Sequence, residues 1–529
     1  MNADDAPDLE RLSARYGAAY RWLATLTVMT GTISTVLSST IVNVAIPDIM
    51  GAFGISATQA QWMSTGFLAA MTATMLANAW MVGRFGQRGA FLIAIGVFTA
   101  GSVLGGLSPN EQTLIFARIL QGGGAGLTQP LAMLVIFSVF PAEKRGQAMG
   151  IYGIGVVLAP ALGPTIGGLL VDNLSWRYVF FMTLPFCLIG MGLASLLLPG
   201  AGSRAARPRL DAVGLLLIVA TLFPLLTALA NGQRWGWNEI PTGMTLLLSA
   251  ACLLGLIAWE RRHPQPLLDF DLFRNARFSA AAAVTIIYGA GLFGSTYLIP
   301  VFVQTIQGYT PTRSGLLLMP AGLVLAVIFP IAGQLSDRLQ PHYPVIAGLG
   351  VFALSFWLLH DVDTNTPFAF LAFAIALGRV GLGLVMPALT AGALRAVPPA
   401  KIAQGSGTVN FLRQLGGALG VNLLTVFMER RTAFMADAMT TTQAADNTAT
   451  QALVDHLAEL SKAGGAPGDL AQGYAADFLG RVIYAQANTW AYREGFILVA
   501  AVFLVAIGPA WLMGRTREVS HVSPDPARL

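Results

Sequence analysis

The sequence predicts an all-α integral membrane protein with fourteen transmembrane spans, arranged as two six-helix halves plus two extra helices. Three observations predict this fold class. Of the 529 residues, 55% are hydrophobic and only 11% are charged, whereas soluble domains carry about 25% charged residues. Apolar runs of span length recur along the whole chain. Landmarks of the first six spans return in the last six.

The spans are predicted from apolar runs that are long enough to cross the hydrocarbon core, which needs about 20 residues. They cover 22 to 46, 61 to 82, 90 to 107, 114 to 137, 148 to 171, 178 to 198, 212 to 230, 242 to 259, 279 to 303, 314 to 335, 344 to 359, 368 to 392, 402 to 428 and 494 to 513. The polar, acidic N-terminus lacks the pattern of a signal peptide, so we expect no cleavage.

The basic residues predict the orientation of the chain. Twenty of the 31 Lys and Arg residues lie in the termini and in the loops on the side of the N-terminus. Only Arg177, Arg234 and Arg313 lie in the short loops on the other side. The positive-inside rule therefore places both termini in the cytoplasm. Since the net charge of +5 is spread over loops without a basic patch, the sequence predicts no nucleic-acid partner.

An internal repeat divides the chain. The stretch EKRGQAMGIYGIGVVLAPALG at 143 to 163 resembles AKIAQGSGTVNFLRQLGGALG at 400 to 420, an offset of 257. Arg84 and Arg338 repeat at an offset of 254, and Arg118 and Arg379 at 261. Many secondary transporters place a substrate site at the midplane between two such halves. The predicted parts are a cytoplasmic N-terminus (1–21), a six-helix half (22–200), two inserted helices with linkers (201–265), a second half (266–514) and a tail (515–529).

Six motifs in a fixed order carry a resemblance to a known family. They are LIFARILQGGGAG (114–126), APALGPTIGGLL (159–170), SWRYVFFMTLP (175–185), ERRHPQPLLDFDLFRN (260–275), QGYTPTRSGLLLMPAG (307–322) and NFLRQLGGALG (410–420). From about Thr30 to Met513 the chain resembles the fourteen-span drug:proton antiporters of the major facilitator superfamily, the EmrB/QacA type, and is most similar to EmrB-like pump subunits. The resemblance implies the major facilitator fold.

Spans 4 and 5 contain the first two of these motifs. The resemblance implies that Arg118 is the buried arginine tied to proton coupling, followed by Gln121. The span 5 motif resembles the family's antiporter motif at Gly163, Pro164, Gly167 and Gly168. Glycines allow a neighbouring helix to approach closely, and proline allows a bend. The motif therefore predicts helix packing, and the resemblance implies that it seals one side of the cavity.

The loops after spans 2 and 10 differ in charge. The first reads AWMVGRFGQRG, which keeps Arg84, Gly86 and Arg88 but has Gly83 where the superfamily pattern has an aspartate. The second, GQLSDRL, keeps Gly333, Asp337 and Arg338. A charge latch that stabilises the outward-facing state is therefore expected after span 10. The alternative is that these arginines only anchor the topology.

The stretch VLSSTIVNVAIPDI at 36 to 49 resembles the family's span 1 signature LDSTIVNVALP, in which the aspartate is a candidate for proton coupling. Here that position is Ser38. A serine does not take up or release a proton near neutral pH. No Asp or Glu lies deep in any predicted span, and the nearest acids are at Asp48, Glu111, Asp172 and Asp211. Proton coupling is thus implied by the resemblance alone.

Three arginines, Arg118, Arg379 and Arg413, fall within predicted spans. A charge at mid-bilayer costs about 2.5 to 3.5 kcal/mol on insertion scales, so each is expected to face the bundle interior. The cavity is predicted to favour neutral or anionic amphiphiles over organic cations, with polar and aromatic surface from spans 1 and 2 supplied by Ser38, Ser39, Asn43, Trp62 and Phe67. The alternatives are hydrogen bonds between helices for the hydroxyls and a structural role for the arginines.

A polar segment, 429 to 492, separates spans 13 and 14 on the side opposite the termini. Two stretches, QALVDHLAELS and DFLGRVIYAQANTWAY, are typical of amphipathic helices, and AGGAPG breaks them. Long loops without a role are uncommon. By the resemblance, a periplasmic adaptor and an outer-membrane channel could dock here. The alternative is a cap that packs only on itself.

The sequence thus predicts a multidrug efflux transporter in the inner membrane that works by alternating access and draws on the proton gradient. A facilitative or uptake permease without proton coupling is the first alternative. An integral membrane enzyme is the second, but neither an H-E-x-x-H helix nor a G-x-S-x-G elbow occurs in the sequence. We predict no catalytic residue, cofactor or metal site. The partners are the lipid bilayer, small amphiphilic substrates and protons.

Overall fold

The structure, a computed structural model, describes residues 6–55, 57–200, 209–443, 447–465, 467 and 470–515. In this part of the chain it contains α-helices, short 3-10 helices and no β-strand. The α-helices are α1 (Ala6–Tyr16), α2 (Tyr20–Phe53), α3 (Ala57–Leu76), α4 (Asn78–Gly106), α5 (Glu111–Val139), α6 (Arg145–Asn173), α7 (Tyr178–Phe181), α8 (Leu184–Leu197), α9 (Ala212–Trp235), α10 (Ile240–Glu260), α11 (Ala276–Thr305), α12 (Pro311–Arg338), α13 (His342–Leu358), α14 (Phe368–Arg395), α15 (Ile402–Thr441), α16 (Thr448–Ala463), α17 (Ala471–Val505) and α18 (Ile507–Arg515).

The all-α prediction is confirmed. Twelve helical segments of the described chain are long and apolar enough to cross a membrane. Two further long helices, α3 with 20 residues and α6 with 29, lie among them. The fold is therefore compatible with the fourteen predicted spans. The linker at 201–208 and the tail from 516 onward lie outside the described residues.

Two large apolar clusters form the core, and each consists mostly of residues from one half. In the first half, buried rings such as Phe91 and Phe98 pack with Ile136. In the second half, Phe352 and Phe496 belong to a larger cluster that extends into α17 and α18. Pairs of helices repeat as the sequence repeat does, since α3 packs on α5 as α12 packs on α14, and α2 on α6 as α11 on α15.

The inserted helices α9 and α10 pack on each other, and α9 also contacts both halves, through α3 and α15. The ring of Phe223 on α9 stacks on Trp62 of α3, with the centroids 5.1 Å apart. Large apolar side chains such as Leu247 and Leu254 on α10 are exposed. An apolar, exposed helix face of this kind fits lipid rather than water.

The two halves meet at one end of the bundle, which we call the closed end. In the first seam, α6 and α12 pack so closely that a Cβ at Gly150 would lie 2.3 Å from the carbonyl oxygen of Phe329. In the second seam, a Cβ at Gly407 of α15 would lie 2.7 Å from the carbonyl oxygen of Met75 at the end of α3. Gly407 follows Gly150 by the repeat offset of 257. The two seams are therefore equivalent positions of the repeat.

The opposite end, which we call the projecting end, extends well beyond a bilayer. With 40 and 35 residues, α15 and α17 are about 60 and 52 Å long, against about 30 Å for the hydrocarbon core. The helix α16 packs on α17 through Ala458, Ala471 and Ala475. The described part of the segment predicted as a loop is thus mainly helical, and both predicted amphipathic stretches lie in helices.

Candidate functional site

A buried arginine forms the centre of the first half. Arg118 has 1% of its surface exposed. Its Nη1 donates to Oε1 of Gln121 (2.8 Å) and to Oγ of Ser38 (3.3 Å), and its Nε donates to the carbonyl oxygen of Met63 (3.4 Å). The guanidinium lies over the ring of Phe67, 4.0 Å from its centroid, within the range of a cation–π contact. Helices α2, α3 and α5 thus enclose one positive charge with neutral groups.

A second layer of hydrogen bonds fixes Gln121. Its Nε2 donates to Oγ of Ser102 on α4 (2.8 Å), and Ser102 in turn lies 3.3 Å from Oγ1 of Thr183. Because the amide nitrogen is engaged there, the amide oxygen is directed to Arg118. A Cβ at Gly101 would lie 2.7 Å from the backbone nitrogen of Gln121. The glycine therefore permits the close contact of α4 and α5 that builds this layer.

The second half holds its own buried arginine at the equivalent position. Arg379, 8% exposed, contacts two hydroxyls of α11. Its Nη1 lies 3.4 Å from Oγ of Ser295, and its Nη2 lies 3.4 Å from Oγ1 of Thr296. Neither hydrogen bond is as short as the 2.8 Å bond from Arg118 to Gln121, so Arg379 is held less tightly.

A third arginine joins the two halves. Arg413 on α15 is 7% exposed, and its Nη2 donates to Oε1 of Gln129 on α5 and to Oδ1 of Asn410, each at 2.6 Å. Gln129 belongs to the first half, whereas Arg413 and Asn410 belong to the second. A Cβ at Gly289 would lie 2.0 Å from the carbonyl oxygen of Arg413. The glycine therefore allows α11 to pack directly against the backbone of α15 at Arg413.

Charge is the common property of this site. Among the described residues, no carboxylate forms an ion pair with Arg118, Arg379 or Arg413. Neutral hydrogen-bond partners satisfy the N–H groups of a guanidinium but leave its charge uncompensated. The described interior of the bundle therefore carries positive charge without a paired carboxylate.

The predicted residues of spans 1 and 2 do not all meet at one point. Ser38 and Phe67 contact Arg118, as described above. Oγ of Ser39 donates to the carbonyl oxygen of Val36 in its own helix (2.6 Å). Trp62 stacks on Phe223 of the inserted helix. The side chain of Asn43 lies outside the described residues.

The span 5 glycines pack against span 1. A Cβ at Gly163 would lie 2.3 Å from Oγ1 of Thr40, and one at Gly167 would lie 2.9 Å from Cγ1 of Ile41. A Cβ at Gly168 would meet open space. Two of the three glycines therefore allow α6 to contact α2 next to the VLSSTIVNVAIPDI stretch, and the third is not needed for it. The side chain of Pro164 lies outside the described residues.

The loop after span 10 forms a contact between the halves at the closed end. Asp337 accepts hydrogen bonds from the backbone N–H groups of Gly146 (2.7 Å) and Gln147 (2.8 Å) in the first turn of α6. Arg395 lies 3.6 Å from the same carboxylate. N–H groups in the first turn of a helix have no partner within the helix and favour negative charge. The neighbouring Arg338 is exposed.

The remaining motif residues of the loops after spans 2 and 10 lie in different surroundings. A Cβ at Gly333 would lie 2.3 Å from the carbonyl oxygen of Gly146, so this glycine permits the first seam. Gly86 has φ 69° and ψ 176° inside α4, a conformation that glycine adopts readily. Arg84, two residues before it, is exposed. The sequence predicted a loop from 83 to 89, and the structure has a helix with one break.

Sequence reasoning missed two residues of this site, Gln129 and Asn410. Both are buried, and both bind Arg413. The sequence did contain a signal, since each is an uncharged amide inside an apolar span. A polar side chain there costs free energy unless it has a hydrogen-bond partner. The pairing could not be predicted because Gln129 and Arg413 lie 284 residues apart.

Comparison with known proteins places the chain. The family profile described as Major Facilitator Superfamily matches residues 28–421. The chain belongs to the major facilitator superfamily. It is 32% identical over 415 residues to the multidrug export protein EmrB of Haemophilus influenzae, covering 78% of this chain and 81% of that one. It is 29% identical over 499 residues to the fatty acid resistance protein FarB of Neisseria gonorrhoeae, covering 94% and 96%.

A solved structure confirms the fold of this EmrB-like transporter. The human organic anion transporter MFSD10 superimposes with a TM-score of 0.60 at 14% identity, over 93% of this chain and 99% of that one. At this identity the likeness shows the fold alone. The family and its fold are those of membrane transporters, and the relatives support multidrug efflux as the general activity.

Proposed function

We propose that this transporter exports amphiphilic neutral or anionic compounds by alternating access. The observation that carries the proposal is the enclosure of Arg118, in which one buried positive charge has only neutral partners among the described residues. A lipophilic anion would supply the missing negative charge and place its apolar body against a ring such as that of Phe67. An organic cation would meet a charge of the same sign in a medium of low dielectric constant.

Arg413 links substrate binding to the contact between the two halves. Its guanidinium lies on the second half and holds Gln129 of the first. An anion that binds Arg413 therefore competes with a contact between the halves. Binding energy that differs between two conformations shifts their populations. We infer that substrate binding near Arg413 favours the rearrangement of the halves.

Under the predicted orientation, the closed end supports an outward-facing state of the transport cycle. Both seams join residues next to loops that the positive-inside rule places in the cytoplasm. The described conformation would then be the one that releases substrate outward. We propose that the protein lies in the inner membrane with both termini in the cytoplasm.

The relative FarB supports an anionic substrate class, because its name records resistance to fatty acids. Fatty acids are carboxylates with a long apolar chain, which is the chemistry that the enclosure of Arg118 fits. We propose that weak-acid uncouplers and phenolics belong to the same class, and that the proton gradient drives their export. A facilitative permease remains the second candidate, because Ser38 replaces the acid that the resemblance ties to proton coupling.

The decisive experiment is transport into inside-out vesicles with and without an acidic interior. A lipophilic sulfonate dye serves as the anion, since its charge does not change with pH, and a quaternary ammonium dye of similar size serves as the cation. We expect gradient-driven uptake of the anion alone. Uptake of the cation alone would contradict the proposal, and anion uptake that ignores the gradient would favour the permease.

Ser38→Asp sharpens this experiment. Since Oγ of Ser38 lies 3.3 Å from Nη1 of Arg118, a carboxylate there would pair with the guanidinium and neutralise the site. We expect anion uptake to fall about tenfold, because the substrate would lose one charge-assisted hydrogen bond that contributes about 1.5 kcal/mol. Ser38→Asn is the control. Asparagine has the same size as aspartate but no charge, so this variant should keep most of the uptake. Equal losses in both variants would indicate a steric effect instead.

We also propose that the projecting end docks a helical periplasmic adaptor. One face of α17 and the residue before it carries Leu470, Tyr474, Phe478 and Val482 at intervals of four residues, each about half exposed. Residues four apart share a helix face. An exposed row of four large apolar side chains outside the membrane indicates an interaction surface. Helical partners bind such faces through anchors at this spacing.

The docking proposal predicts that Phe478→Asp separates assembly from transport. We expect the variant to keep vesicle uptake, because Phe478 is about 53% exposed and far from the buried arginines. Resistance of whole cells to exported compounds should fall, and so should recovery of the adaptor after cross-linking. Arg481→Asp, a charge change on the same exposed turn, is the matched control. Unchanged cross-linking in Phe478→Asp would refute the proposal.

A further inference from the structure

The second seam lacks the carboxylate that holds the first. By the repeat, Gly83 corresponds to Asp337 at an offset of 254, and Gln404 corresponds to Gln147 at 257. Asp337 holds the start of α6. A glycine has no side chain, so residue 83 cannot hold the start of α15 in the same way. The repeat therefore predicts a deficit of negative charge at this position.

The loop after the inserted helices supplies that charge. Lys401, the residue before α15, forms an ion pair with Asp269. In the first turn of α15, Nε2 of Gln404 donates to the carbonyl oxygen of Pro266 (2.9 Å). Lys401 corresponds to Lys144 by the offset of 257. The loop thus binds the same part of α15 that Asp337 binds in α6.

The same loop is fixed to the first half and to the inserted helices. Leu267, 4% exposed, belongs to the apolar cluster that contains Met75 and Leu76 at the end of α3. The backbone N–H of Leu268 lies 3.4 Å from Oε2 of Glu260, the last residue of α10. The loop is therefore buried against the first half through Leu267 and paired with Lys401 through Asp269. It connects the two sides of the second seam.

Asp269 is held in place for this contact. It is 6% exposed, and its Oδ1 accepts a hydrogen bond from the backbone N–H of Asp271 (2.9 Å). Asp271 itself is exposed and pairs with Arg274, which is exposed as well. Two aspartates of one loop therefore differ in role, since one is buried against α15 and the other faces solvent.

We propose that Asp269 is a positioning residue of the transport cycle. The loop from Pro264 to Asp271 couples the start of α15 to the first half at the closed end, in place of the carboxylate that the first half lacks at Gly83. Release of the Asp269 contact with Lys401 accompanies the opening of the second seam. The inserted helices thereby take part in the conformational change.

The test measures opening of the seam without any substrate, so its outcome is independent of the proposed export. In the full-length chain with Cys187→Ser and Cys252→Ser, the buried Thr408 is replaced by cysteine. The rate of its labelling by N-ethylmaleimide reports opening, because Thr408 follows Gly407 in the seam. We expect Asp269→Asn to accelerate labelling about fivefold, the effect of a partly buried ion pair.

Five further variants distinguish positioning from a general loss of structure. Lys401→Gln should match Asp269→Asn, and the double variant should add nothing, because the two residues form one pair. Asp271→Asn should label at the parent rate. Adding Gly83→Asp to Asp269→Asn should slow labelling again, whereas the uncharged Gly83→Asn should not.

The proposal is overturned by any of three results. Labelling of Asp269→Asn at the parent rate would show that the pair does not restrain the seam. Equal acceleration by Asp271→Asn would show that the loop has only been loosened. Failure of Gly83→Asp to slow labelling would show that the loop does not replace a carboxylate of the first half.

Discussion

Replacement of Arg118 by methionine is expected to lower uptake of a lipophilic anion by about 10- to 150-fold. If the proposed function is correct, the variant removes one charge-assisted hydrogen bond to the substrate. Such a bond contributes about 1.5 to 3 kcal/mol, and each 1.4 kcal/mol is a factor of ten. The guanidinium is enclosed by Gln121, Ser38 and Phe67. Uptake into inside-out vesicles measures the loss.

Stability should change much less than uptake. Removal of the guanidinium relieves the cost of burying a charge without a counter-ion, but it leaves the amide oxygen of Gln121 without a donor, which costs about 1 to 3 kcal/mol. We therefore expect Arg118→Met to unfold in detergent close to the temperature of the parent. A structural arginine would give the reverse pattern, with a lower unfolding temperature and nearly normal uptake by the remaining folded protein.

Gln121→Glu is the matched variant for Arg118→Met. It keeps the arginine and the shape of the site, but places a carboxylate where Oε1 of Gln121 now lies, 2.8 Å from Nη1 of Arg118. The site would then be neutral as a whole, so anion uptake should fall as it does without the arginine. If Gln121→Glu transports anions at the parent rate, the charge of Arg118 does not select the substrate.

The fold was predictable because its signals are local. Runs of apolar residues predict spans wherever they occur, and the repeat predicts two halves without any knowledge of contacts. The fold class was confirmed on this basis. The helical character of the projecting end was also predicted by local periodicity in 451 to 461 and 477 to 492. Its continuity with α15 and α17 was not predictable in this way, because both helices continue from apolar into polar sequence without a local signal.

The site was predictable only in part. Apolar surroundings indicated that Arg118, Arg379 and Arg413 are buried, and burial of a charge requires partners of some kind. Which partners they have depends on packing between helices that are far apart in sequence. The direction of Trp62 illustrates this, since a tryptophan in span 2 could face the cavity or the inserted helix, and periodicity does not distinguish the two.

Loss of the Asp337 carboxylate is the second large effect that we expect. In Asp337→Ala, the N–H groups of Gly146 and Gln147 lose their acceptor and Arg395 loses its partner. Hydrogen bonds to a charged group contribute about 1.5 to 3 kcal/mol, so the balance between the closed and open forms of this end should shift by about 10- to 150-fold. Labelling of Thr408→Cys by N-ethylmaleimide should accelerate accordingly, since both seams open together when the halves rock.

Graded variants test the cause of that shift. Asp337→Asn keeps one acceptor oxygen without the charge, so its labelling rate should lie between those of the parent and Asp337→Ala. Arg338→Gln changes the exposed neighbour and should label at the parent rate. If Arg338→Gln accelerates labelling as much as Asp337→Ala, the charge of the loop as a whole matters. The specific contact with the start of α6 would then not be what holds the two halves together.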